Sequence, residues 1–174
     1  MKPIFAAFFL LMLSTPAFAL YDPTPAEFLS AIEGSWTGTL EYRDYQPPHR
    51  HVTLPTKLYV SLVAPNELSL HYVFDDGPKK IVHSYDLLQV DLAKKTLRWS
   101  GLKPEDTSIC TIVSSQKTGD AFEIVAERES VDDGKKKLIR YRLKLAADNF
   151  EVRKDEGADA ASLSFADRYS FQRK

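Results

Sequence analysis

Between residues 34 and 45 the chain reads Gly-Ser-Trp-Thr-Gly-Thr-Leu-Glu-Tyr-Arg-Asp-Tyr. Trp36, Gly38, Leu40 and Tyr42 share one parity, while Ser35, Thr37, Thr39, Glu41 and Arg43 share the other. Side chains alternate across a strand, so this pattern predicts a β-strand with one buried face. The same pattern recurs along the chain and constrains the fold more than any other feature. It is found in Val52–Leu62, Leu68–Phe74, Phe122–Ala126 and Leu138–Leu145. Further strand-like runs cover 81–92, 97–101, 107–116, 150–153 and 163–171. Turn residues punctuate them, as in Ala64-Pro65-Asn66-Glu67, Asp75-Asp76-Gly77-Pro78 and Asp132-Asp133-Gly134. The segment Pro25–Glu33 reads as a short helix ahead of the first strand, and no helix is expected after it. The residues 155–160 read as a loop, and Pro55 within the second run marks an edge or a bulge. About ten strands in an antiparallel, up-and-down meander must hide their edges, and closing into a β-barrel does so.

The amino terminus carries Lys2, an apolar block from Ile4 to Leu13, and Ala17-Phe18-Ala19. This is the layout of a secretory signal peptide spanning residues 1–19, cleaved after Ala19. The expectation is a periplasmic or secreted protein whose residues 20–174 form a single barrel domain. The apolar block is shorter than the roughly 20 residues that cross a bilayer, so no membrane span is expected. The sequence holds one cysteine, Cys110, so no internal disulfide can form, and an exported fold must rest on its core. Within the apolar run 109–113 that thiol reads as a buried, unreactive group. Lysines and arginines (23) nearly balance aspartates and glutamates (24), and the triplet Lys135–Lys137 adjoins Asp132 and Asp133 at a turn. Nothing in this distribution calls for nucleic acid.

The Gly34-Ser35-Trp36 start, preceded by a short helix and opening the first strand, resembles the Gly-x-Trp start of the lipocalins and their calycin relatives. The resemblance implies that Trp36 closes one end of the barrel and that a basic residue of the last strand, Arg168 or Arg173, packs on it. About ten strands instead of eight, and no disulfide, bring the chain nearer to the fatty-acid-binding and haem-binding calycins. The haem-binding relatives place an iron-ligating histidine late in the chain, whereas here none follows His83. No cofactor is expected.

Tyr42, Tyr72, Tyr141 and Tyr169 fall on the apolar faces of their strands, where hydroxyls can orient the polar end of a ligand in a largely apolar pocket. They are the candidate ligand-binding residues for a small apolar molecule. Asp167 shares their face and needs a hollow, a rim position or a basic partner. His49 and His51 flank Arg50 in a proline-bounded loop and could contribute to a metal site only with further ligands; none is assigned. The chain has no Gly-x-Ser-x-Gly, no His-Glu-x-x-His, no phosphate-binding glycine loop and no Cys-x-x-Cys. No catalytic residue is named. Two alternatives stand beside ligand binding: a filled barrel that binds a protein partner, and a barrel-fold isomerase or cyclase.

Overall fold

A computed structural model describes residues 25–44, 47–48 and 50–174. The signal-peptide expectation over residues 1–19 and the candidate His49 lie outside the described residues. The order is α1 (Pro25–Ile32), β1 (Gly34–Arg43), β2 (His51–Ala64), β3 (Glu67–Asp75), β4 (Ile81–Asp91) and β5 (Thr96–Ser100). A 3-10 turn (Pro104–Asp106) follows, then β6 (Ser108–Thr118), β7 (Ala121–Asp132), β8 (Lys135–Ala146), β9 (Asn149–Gly157) and β10 (Ser164–Arg173). Each strand pairs antiparallel with its sequence neighbour, and β1 pairs with β10, so the ten strands form a closed barrel. The seam runs from Trp36 opposite Arg173 to Tyr42 opposite Asp167.

Helix α1 closes one end. Phe28 and Leu29, with Ile32 one turn further on, form a single face and are fully buried. At about 1.5–3 kcal/mol for each such side chain, this face holds the helix against the barrel. Phe28 meets Phe122 edge-on with ring centres 6.0 Å apart, and Lys117 Nζ lies 3.2 Å from Glu27 Oε1. Below the helix the interior is packed with Leu58, Leu68, Leu88, Leu97, Ile124 and Leu143, none of them exposed. Cys110 is buried here too, and desolvation pushes its thiol up to about 11, which keeps it protonated at neutral pH.

Two sequence expectations are corrected by strand length and register. Strand β9 runs on to Gly157, so residues 155–157 belong to the ladder and not to a loop. Arg153 and Asp155 brace each other on its outer side, with Arg153 Nη2 to Asp155 Oδ1 at 2.8 Å. In β10 the register shifts between Phe165 and Asp167. That bulge reverses the parity upstream, so Phe165 does not share the inner face with Tyr169 and Phe171. It stacks instead on the exposed His51 ring at 5.4 Å, under Arg153. A short 3-10 turn also appears where no helix was expected. Pro55 faces Thr39 of β1, while β3 joins β2 only from Thr56 onward, so its missing N–H falls on a locally open edge.

Candidate functional site

Antiparallel order brings the carboxyl ends of odd-numbered strands and the amino ends of even-numbered strands to the end opposite α1. Along the inward rows of β4, β7, β9 and β10 the side chains become polar in that direction, whereas β3 stays apolar to Phe74. On β4, Val90 and Leu88 give way to Asp86 and Ser84; on β7, Phe122, Ile124 and Ala126 give way to Arg128. On β9, Phe150 and Val152 lead to Lys154 and Glu156, and on β10 Phe171 leads to Tyr169 and Asp167. The barrel is therefore greasy at the helix end, and at the open end the wall formed by β4, β7, β9 and β10 is polar and borders hollows.

The first hollow has a volume of about 470 Å³, with Asp86, Trp99, Tyr141, Lys154, Asp167 and Tyr169 in its wall. Gly101, Lys103 and Asp106, from the segment between β5 and β6, form part of its rim. Trp99 Nε1 donates a 2.9 Å hydrogen bond to Asp86 Oδ2, which fixes the carboxylate. The Trp99 and Tyr141 rings lie nearly parallel with centres 6.3 Å apart. Among the described residues no cationic group lies within ion-pair distance of Asp86. Burial raises its pKa against the lowering effect of the Trp99 hydrogen bond, and Asp106 adds to the rise.

Asp167 is raised further, to about 6, chiefly by desolvation, although Lys154 Nζ stands 3.7 Å away and pulls in the other direction. Burial alone would lower Lys154, but its 2.6 Å contact with Glu156 and the nearby Asp167 keep the ammonium protonated. The hydroxyls of Tyr141 and Tyr169 are both pushed up by desolvation, so they act as neutral donors and acceptors. Arg128 lies beside Tyr141 and Cys110, and its buried Nε has no hydrogen-bond partner among the described residues.

A second hollow of about 720 Å³ adjoins the first, and Lys154 and Asp167 stand in the walls of both. Tyr42, Asp132, Lys137 and Glu156 are among its other lining residues. Lys137 Nζ bonds Asp132 at 2.6 Å and reaches Glu156 at 3.6 Å. This hollow is lined by paired charges, and the first contains the unpaired Asp86.

The four candidate tyrosines separate accordingly. Tyr141 and Tyr169 come together in the first hollow and Tyr42 lines the second. Tyr72 lines neither: it is 2% exposed, packs on Tyr169 at 5.2 Å and Phe74 at 5.8 Å, and its buried hydroxyl has no partner among the described residues. Trp36 lies at the helix end, 1% exposed, with Nε1 donating to the Ile32 carbonyl at 2.9 Å. The basic residue packed on it is Arg173, whereas Arg168 turns outward to Glu41 at 2.7 Å. Asp167 finds its basic partner in a lysine.

Sequence reasoning passed over Asp86, Trp99 and Lys154 as site residues. Asp86 continues the parity of Leu88 and Val90, and Lys154 that of Val152, so period two carried to the strand ends was the available signal. Among the described residues no group of three or more His, Cys, Asp or Glu side chains is placed to hold a metal ion. His51 Nδ1 is instead 3.3 Å from Glu41 Oε1.

No protein-family description matches the chain, and none of the curated proteins is similar to it in sequence. Among solved structures it is similar to the crystal structure of Rv2717c from M. tuberculosis, with a TM-score of 0.61 and 14% identity. The match covers 88% of this chain and 99% of that one. At that identity the likeness concerns the barrel fold alone.

Proposed function

We propose that the chain is an exported binding protein whose open barrel end takes a small amphipathic molecule, one with an organic cation beside a flat apolar body. The observation that carries this reading is Asp86. Its carboxylate is desolvated, aimed by the Trp99 N–H, and without a cation of its own among the described residues. The rings of Trp99, Tyr141 and Tyr169 line the same hollow, and an ammonium group gains from aromatic faces as well as from a carboxylate. The volume of about 470 Å³ is within the usual range for small-molecule sites. A purely apolar ligand would bury Asp86 and Asp167 further without compensation, so the largely apolar molecule expected from the alternating faces is narrowed to one with a cationic end. The hollows also speak against a filled barrel that acts only as a partner surface.

The test is calorimetric titration with an arylalkylamine, its neutral alcohol analogue and its carboxylate analogue. The amine should bind, and Asp86→Asn should weaken it at least tenfold with the fold intact. Equal or tighter binding of the carboxylate analogue, or no change in Asp86→Asn, overturns the reading. Export is tested by the intact mass of protein recovered from the periplasm, which should begin at Leu20.

A second reading, an isomerase in the same hollow, draws on Asp167, because a carboxyl titrating at about 6 can take up and return a proton near neutral pH. Solvent deuterium would then enter carbon positions of a bound ligand, and Asp167→Asn would stop it. No exchange in the wild type removes this reading.

A further inference from the structure

On the outer face of β2, β3 and β4 stands a row of rings, Tyr59, His71, His83 and Tyr85, of which His83 and Tyr85 also border the first hollow. His71 Nε2 and His83 Nδ1 are 2.9 Å apart, held by neighbouring strands in the register Val73 opposite His83 and His71 opposite Tyr85. The His71 ring is stacked on Tyr85 at 4.3 Å and flanked by Tyr59 at 5.6 Å. Packing on the sheet therefore restricts its orientation.

We propose that His71 and His83 form a surface chelate for a divalent metal ion of square-planar preference, Cu(II) before Ni(II). Imidazole nitrogens sit about 2.0–2.1 Å from a bound ion, so two in adjacent positions at a right angle are about 2.9 Å apart, and at a tetrahedral angle about 3.4 Å. The observed separation fits the right angle, the geometry of Cu(II) and Ni(II) and not of Zn(II). The proton that now joins the two nitrogens moves to the other nitrogen of its own ring by a change of tautomer, and the rings turn so that both lone pairs meet the ion. Water completes the coordination, since no third side-chain ligand is placed nearby among the described residues. Cu(II) stands highest among divalent ions for nitrogen sites, and the single cysteine, which is buried, offers no competing thiolate.

The experiment is titration of the purified, untagged protein with copper(II), read by electron paramagnetic resonance and by selective broadening of histidine ring signals. One equivalent should bind saturably with a nitrogen-coordinated, tetragonal spectrum, and the His71 and His83 rings should broaden first. His71→Gln and His83→Gln should each weaken binding tenfold or more, while the His49→Gln/His51→Gln double variant keeps it. Broadening needs no variant, so a misfolded mutant does not blur the outcome. Absence of saturable uptake overturns the proposal. So does binding that survives both single variants, or that is lost with His49 and His51.

Discussion

The guanidinium carbon of Arg173 stands 4.3 Å from the centre of the Trp36 ring, directly across the seam where the last strand meets the first. The same guanidinium donates to the carbonyls of Ala31 (2.6 Å) and Glu33 (2.8 Å), satisfying acceptors left open at the end of α1. One side chain therefore joins helix, first strand and last strand. Trp36 in turn packs on Phe150 with ring centres 5.7 Å apart. Truncating Trp36 to Ala is expected to cost about 3–5 kcal/mol, and Arg173→Ala about 1–3 kcal/mol. Arg168→Ala, which removes only an outer ion pair with Glu41, should cost about 1 kcal/mol or less. Chemical denaturation orders the three, and Trp36→Ala within about 1 kcal/mol of wild type would contradict the closure.

Gly38 belongs to the same seam. A Cβ built there would lie 1.9 Å from the Ser170 carbonyl oxygen, a main-chain atom that cannot swing away. Gly38→Ala should push β1 from β10 and destabilise by about 2–3 kcal/mol. Gly119→Ala, with open space around its Cβ but a left-handed backbone (φ 59°), should cost about 1 kcal/mol by strain alone. Thermal melts that rank Gly119→Ala as the more damaging would reverse the argument.

Tyr72 carries a buried hydroxyl that neither donates nor accepts among the described residues. Removing it deletes a desolvated polar group and leaves the ring packing on Tyr169 and Phe74 in place. Tyr72→Phe should be neutral or more stable by up to about 1 kcal/mol. A loss above about 1 kcal/mol in urea denaturation would show that the hydroxyl has a partner.

Asp167 gives a pH signature of definite sign. Its carboxyl rises from 3.8 to about 6 on folding, so between those values the folded protein holds a proton that the unfolded chain has lost. The stability it contributes is therefore fully present below about 4 and is lost as pH rises to about 6, above which the ionised, desolvated carboxylate is a constant penalty. Asp167→Asn should flatten this decline and raise the melting temperature at pH 8, with no gain at pH 3. The ionised carboxylate favours a cationic ligand, so amine binding by the wild type should weaken as pH falls below about 6. Melting curves across pH 3–8 and amine titrations at pH 5 and 7.5 measure the two effects; a gain from Asp167→Asn at pH 3 equal to that at pH 8 would remove the charge as its cause.

Period-two alternation in runs such as 34–43 and 138–145 was enough to determine strands, their buried faces and, through the number of runs, a closed antiparallel barrel. That pattern is local physics, because side chains two residues apart must meet the same surroundings. The helical start was legible as a segment of its own, and the place of Trp36 at one end of the barrel came from what the Gly34-Ser35-Trp36 start resembles. Parity separates Arg173, in line with Tyr169 and Phe171, from Arg168, but only the closed seam, which sets Arg173 opposite Trp36, shows that it packs on the ring. It also decided the character of the interior. Asp86, Lys154 and Asp167 are far apart in the chain and look like ordinary charged residues near strand ends; only the antiparallel register collects those ends at one mouth. The bulge between Phe165 and Asp167 adds a parity shift that alternation cannot announce. Period two says which face a residue takes, whereas its height along the barrel axis, and hence whether it meets packed leucines or an open hollow, depends on strand length, stagger and pairing.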